Sequence, residues 1–421
     1  MKLKNLLFGI VALATTSMFA QFSLSGEFIP RTEYRNGFSS TISEGTEPGI
    51  ATSVRAALKA TYKTEGYTTH LNLLEVFTMG DRQQLSTAGN GNFRVQEAWA
   101  DLVLGSSSSL KIGRQGIAYD DQRIMGTVGW AQQMRTHDAA VYKYKNKGLS
   151  LDLGVAYNQN SVTKSGNDYL NDKMFSYKTM QYLHANKKTD KLNVSAFVIN
   201  TQFQDATPAT KLKIFPNENG ELEDAEINPI TTPGDDTVTS LLTAGLHADF
   251  KISSVKLSAN AFVQDGDRSS ESTPYLASLD AGFKATDKTT FGLGAEIISG
   301  KTSDTSFGFF PVYGTNHKFN GFMDRFYVGN HAKGNGLIDL HASVKTKLGN
   351  GYGLMVKALH FVEESESKTL GSEIDLVLAK KFKGYALKLG YSQFFESDAI
   401  PTAKDTQNWA WAMLVIKPKF L

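Results

Sequence analysis

TVTSLLTAGLHADFKISSVKLSANAFVQ, residues 237–264, alternates in character on both sides of Ser253-Ser254. Val238, Ser240, Leu242, Ala244, Leu246, Ala248, Phe250 and Ile252 share one parity; Thr237, Thr239, Leu241, Thr243, Gly245, His247, Asp249 and Lys251 share the other. Successive side chains of a strand point to opposite faces, so one face is apolar and the other carries His, Asp and Lys. Beyond the two serines, Val255, Leu257, Ala259, Ala261 and Val263 oppose Lys256, Ser258, Asn260 and Gln264. Helical spacings of three and four are missing. The stretch predicts a hairpin of two long strands with one greasy and one polar side.

The same pattern fills the chain outward from this hairpin. Toward the N-terminus it recurs at about 22–35, 53–63, 67–79, 92–104, 110–118, 137–145, 149–159, 175–187 and 191–203. Toward the C-terminus it recurs at about 274–285, 289–299, 337–348, 352–363, 372–382, 385–396 and 408–420, eighteen strands in all, give or take two. Leu73-Leu74 interrupts one register and suggests a bulge. Every second connection is a tight turn rich in Gly, Ser, Asn, Asp and Lys. The others are long: 37–50, 81–91, 119–136, 161–174, 205–236, 266–273, 301–336, 364–371 and 397–407. Strands about twice the usual length, with short turns at one end and long loops at the other, predict an antiparallel up-and-down barrel in an outer membrane. In lipid a closed barrel satisfies every backbone group, and one of this size leaves an aqueous lumen rather than a packed core. Tyr34, Tyr62, Tyr67, Tyr142, Tyr144, Tyr275, Phe291, Tyr352 and Tyr385 near strand ends would form its interfacial girdles.

Composition agrees with export to such a place. Lys2 and Lys4, the apolar run Leu6–Met18 and Ala20 predict a signal peptide over 1–20, leaving 21–421 as the barrel. The final WAWAMLVIKPKFL, with Phe420 next to the last residue, resembles the C-terminal signal read by barrel-assembly machinery. There are no cysteines, which excludes thiolate chemistry and Cys-based metal sites, and the net charge of +2 makes no case for nucleic acid. Eight histidines stand outside G-x-S-x-G and H-E-x-x-H spacing, so no enzyme and no cofactor is expected. The acidic stretch 218–225, ENGELEDA, lacks calcium-loop spacing and reads as a solvated loop.

With the greasy face outward, the lumen would carry Arg31, Arg35, Arg55, Lys59, Glu97, Arg114, Lys143, Lys251, Lys345, Lys357 and Lys388, together with acids such as Glu27, Glu33, Asp249, Asp280, Glu296, Asp339 and Asp375. Basic and acidic residues nearly balance, leaving a slight anion bias. Two stretches depart from wall-like sequence. In 111–139, Arg114 is followed by Tyr119, Asp120, Asp121, Arg123, Trp130, Arg135, His137 and Asp138, a density that suggests a segment folded into the channel. In 315–340, His317, Asp324, Arg325 and His331 alternate with aromatics.

These two stretches also carry a family likeness. GRQ (Gly113, Arg114, Gln115), YDDQRIMG (119–126, with Asp121 and Arg123), Trp130, the R-x-H-D-A run 135–139, HKFNGFMDRFY (317–327, with His317, Gly321, Asp324 and Phe326) and GLIDL (336–340) resemble the alginate export family of outer-membrane porins. That resemblance implies an eighteen-stranded barrel passing anionic polysaccharide, with Arg114 in the constriction and Arg123, Arg135 and Asp138 beside it. The alternative is a general or nutrient-uptake porin for small polar solutes. Reversal potentials separate the two, strong anion selectivity lost in Arg114→Ala favouring the exporter.

Overall fold

The computed structural model describes residues 21–421 except 83, 86–91, 160–161, 163–175, 205–211, 217–221, 226–237, 268–272, 303–307, 327–333 and 398–405. The expected signal peptide, His331 and much of the acidic stretch 218–225 lie outside the described residues.

Eighteen strands form one antiparallel sheet. In chain order they are β1 (Gln21–Asn36), β2 (Gly49–Lys63), β3 (Tyr67–Thr78), β4 (Arg94–Val103), β5 (Ser108–Gln115), β6 (His137–Asn146), β7 (Leu149–Tyr157), β8 (Thr179–Lys188) and β9 (Leu192–Gln204). A separate small hairpin follows, β10 (Leu212–Pro216) and β11 (Leu222–Ala225). The wall resumes with β12 (Val238–Ile252), β13 (Val255–Asp265), β14 (Tyr275–Lys284), β15 (Thr289–Ile298), β16 (Leu337–Gly349), β17 (Tyr352–Val362), β18 (Thr369–Lys381), β19 (Tyr385–Glu396) and β20 (Gln407–Ile416). Each wall strand pairs with its neighbour in sequence, β9 pairs with β12 across the small hairpin, and β1 pairs with β20, so the sheet closes into a barrel.

The hairpin at 237–264 has the expected faces. Leu246 is 53% exposed on the outside, whereas its chain neighbour His247 is 1% exposed and points inward. The short turns gather at one end and the long loops at the other. Asn350, in the turn between β16 and β17, takes left-handed backbone, which asparagine tolerates better than most residues. Outside, Tyr62, Tyr67, Tyr142, Tyr275, Phe291, Tyr352 and Tyr385 are exposed, in keeping with girdles at the rims. The interrupted register lies opposite Leu73: Asn72 pairs with Glu97 and Leu73 with Val95, so Gln96 of β4 is the extra residue. The last strand is shorter than its alternation suggests. It ends at Ile416, and Pro418, which has no N–H to donate, offers only its carbonyl to Gly26.

The interior differs from the expectation of an open lumen. On the loop side it holds a packed apolar cluster that includes Ile124, Met125, Phe197, Phe262, Phe309, Tyr313, Met323, Phe361, Trp409 and Trp411. The short turns do not supply this filling. It comes from two long connections, β5–β6 and β15–β16, that fold inward against inward-facing apolar residues of the wall.

Candidate functional site

The first inner loop begins where β5 ends. Gly113 has φ +123°, and a Cβ there would lie 2.2 Å from the Ala98 carbonyl oxygen, so only glycine fits beside Trp99 at this point. Buried Gln115 donates to the Ala139 carbonyl (3.1 Å), and Gly116 N donates to Glu97 (3.0 Å) as the chain turns into the barrel. Tyr119 then stacks on His184 (4.1 Å) and donates to Asp152 (2.8 Å). Asp120 accepts hydrogen bonds from His184 and Ser195. Burial disfavours its charge, but those bonds together with the attraction of His184 and His247 outweigh burial and hold the carboxyl below its usual range. Asp121 accepts from Asn260 (2.8 Å).

Arg123 is the centre of the arrangement. Its guanidinium, 1% exposed, forms a two-pronged pair with Glu296 of β15 (2.8 and 2.5 Å). It also donates to Asn316 and Asn320 of the second inner loop (2.9 Å each). Further along, carbonyls of the first loop become acceptors for the wall. Arg55 donates to Gly129, Ala131 and Gln132, and Arg31 donates to Trp130 (2.7 Å) while its guanidinium lies 4.0 Å above the Trp130 ring.

The second loop is tied in the same manner. Gln264 of β13 bonds both the carbonyl and the N–H of Phe310 (2.8 and 2.7 Å), as a neighbouring strand would. Tyr313 pairs with Met125 in a parallel bridge between the two loops. His317 stacks on Trp130 (4.6 Å) and donates Nδ1–H to Asp324 (2.9 Å). Gly321, with φ +87°, lets the backbone wrap the buried Glu373 carboxylate, which accepts from Met323 N (2.8 Å). Arg325 reaches Glu396 (2.5 Å) and Gln407 (2.7 Å), and Phe326 packs on Phe361 (4.6 Å). Together the loops contact β1, β2, β4, β7, β8, β9, β13, β15, β16, β17, β18, β19 and β20.

On the turn side of the loops lie two cavities that share Asp120. One, of about 850 Å³, is lined by Tyr119, Lys143, Asp152 and the turn 105–109 among others. The other, of about 570 Å³, is lined by six carboxylates and four lysines. All six carboxylates are engaged. Asp120 and Asp121 are bonded as above, Asp249 pairs with Lys256 (3.0 Å), Asp280 and Asp339 hold His341 (2.8 and 3.2 Å), and Glu296 holds Arg123. Lys318 has a carbonyl partner, Asp121 O (2.8 Å), while Lys345 and Lys357 line the same cavity with no carboxylate in ion-pair reach among the described residues.

Several residues expected to line the pore are placed elsewhere. Arg31, Arg55 and Arg123 are buried and hold the inner loops. Glu97 receives the start of the first loop, and Arg135 donates to Gly314 (3.1 Å). Arg114 and Asp138 stand on the outer face of the wall, paired at 2.7 Å and about half exposed, because Arg114 shares the parity of exposed Ile112. Lys59 pairs with Glu27 (2.9 Å), and Arg35 pairs with Glu33 (2.9 Å) at the loop-side mouth. Lys143, Lys251, Lys345, Lys357 and Lys388 share the inward parity of their strands. Lys318 and Glu373 were not singled out in the sequence. Lys318 follows His317 in a stretch already marked, and Glu373 shares the inward parity of Asp375.

No protein-family model matches the chain, and no curated protein is significantly similar to it. Solved structures are similar in fold. Pseudomonas aeruginosa OccK11 (OpdR) superposes with a TM-score of 0.59 at 14% identity, over 96% of each chain. Pseudomonas aeruginosa OpdK with vanillate gives 0.56 at 15% identity, over 94% of this chain and 99% of that one. The outer membrane protein OprD from Pseudomonas aeruginosa gives 0.58 at 12%, over 96% and 95%. These neighbours overturn the expected place in the alginate export family, whose apparent motifs build the inner loops. The chain shares the closed barrel fold of the Occ and OprD outer-membrane proteins.

Proposed function

We propose that this protein is a passive outer-membrane channel for small polar solutes, with a preference for anions. The observation that carries the reading is the lysine set of the 570 Å³ cavity: its carboxylates are hydrogen-bonded or paired, and among the described residues Lys318, Lys345 and Lys357 have none within ion-pair distance. Ammonium groups facing a channel without an ion-pair partner attract anions and set selectivity. The packing of the loop side supports small solutes as cargo rather than a polymer. OpdK, similar in fold, is solved with vanillate, a small aromatic carboxylate of suitable size and sign.

Planar-bilayer recording tests the proposal. Under a KCl gradient the wild-type reversal potential should report anion preference, and Lys345→Gln/Lys357→Gln should shift it toward neutrality without changing barrel content in circular dichroism. A folded protein giving no conductance steps would defeat the channel reading. An unshifted reversal potential would defeat the role of the two lysines.

A further inference from the structure

The wall has a gap at the loop-side end of β5. The pairing of β4 with β5 stops at Ala98 and Arg114, because the chain beyond Gln115 dives inward, while β4 continues to Arg94. The gap is backed from inside by the first inner loop: Arg94 donates to the Gln133 carbonyl and to Gln96 Oε1 (2.8 Å). What remains is a groove of about 410 Å³ lined by Arg94, Arg114 and Arg135 among others. Asp138, paired with Arg114, is the nearest acid in an ion pair there, and Arg94 is bonded only to neutral acceptors. Val95 lines it, and Ile112 and then Tyr142 are exposed on the outer wall from there toward the turn side.

A cationic groove set above apolar wall has the layout of a lipid, charged head over greasy tail. Guanidinium groups grip phosphate oxygens in pairs, and arginine on a barrel's outer face is tolerated best near the interface. We propose that this groove binds the phosphorylated headgroup of a lipid in the loop-side leaflet, with acyl chains against Ile112 and Tyr142. Asp138 competes for Arg114, so an incoming phosphate must share that side chain.

Native mass spectrometry of the folded, detergent-solubilised chain with diphosphoryl lipid A tests this. One adduct per barrel is expected, weakened roughly tenfold in Arg94→Gln/Arg114→Gln by the loss of charge-assisted hydrogen bonds. Asp138→Asn should tighten binding, the opposite direction, and decides the matter should the double variant fold poorly. Lipid A stripped of its phosphates should bind no better than the double variant, and millimolar inorganic phosphate should not displace the intact lipid. Unchanged binding in the double variant, weaker binding in Asp138→Asn, or displacement by free phosphate would each overturn the proposal. Reversal potentials of Arg114→Gln should stay at the wild-type value, which separates this site from the channel's selectivity.

Discussion

At Gly321 a single methyl group would sit 2.5 Å from a Glu373 carboxylate oxygen on a backbone that already has φ +87°. Gly321→Ala should therefore loosen the second inner loop by about 1–3 kcal/mol, seen as faster amide exchange over 316–325 with the wall strands unchanged. Lys318 gives a pH-dependent expectation. Burial chiefly, with Lys345 and Lys256 nearby, pulls its ammonium below the ordinary lysine range despite the opposing pull of Asp121. Because the folded group loses its proton early, anion preference should fall as pH rises, beginning below the usual lysine range. In Lys345→Gln the onset should move to higher pH, since a repelling charge is gone. Reversal potentials across a pH series would measure both. At this scale the sequence was least legible. Alternation could not show that Arg31, Arg55 and Arg123 would spend their donors on loop carbonyls and on Glu296. Alternation counted from Ile112 does place Arg114 outward on β5; assigning it inward followed the motif instead of that parity.

The inner loops depend on a few buried contacts, of which Arg123–Glu296 is the most enclosed. Removing one partner of a buried pair leaves the other uncompensated, at a cost of about 3–5 kcal/mol, whereas replacing both by apolar groups is often mild. Arg123→Leu should thus give a noisy channel of higher conductance, and Arg123→Leu/Glu296→Met should recover quiet, near wild-type steps. Single-channel traces of the two variants would decide. Strand positions were readable because two-residue periodicity is intrinsic to a strand facing lipid and water. The inward fold of 116–136 was readable from its density of Arg, Asp and aromatic residues. The hairpin β10–β11 went unread within the 205–236 connection, and the bulge at Gln96 was visible only through its partner strand.

For the whole molecule, ring closure, strand order and the sorting of short and long connections followed from hydrophobic patterning and the need to pair every backbone group. The filling of the loop side did not follow, because it rests on side chains meeting across the barrel. Arg123 and Asn320 are 197 positions apart and belong to hairpins on different arcs of the ring. The two loops can lock only after most of the ring has assembled around them. Such distant partners make a slow, late step in folding. A nascent barrel should pass through a stage in which its wall is complete while its interior is still empty and leaky.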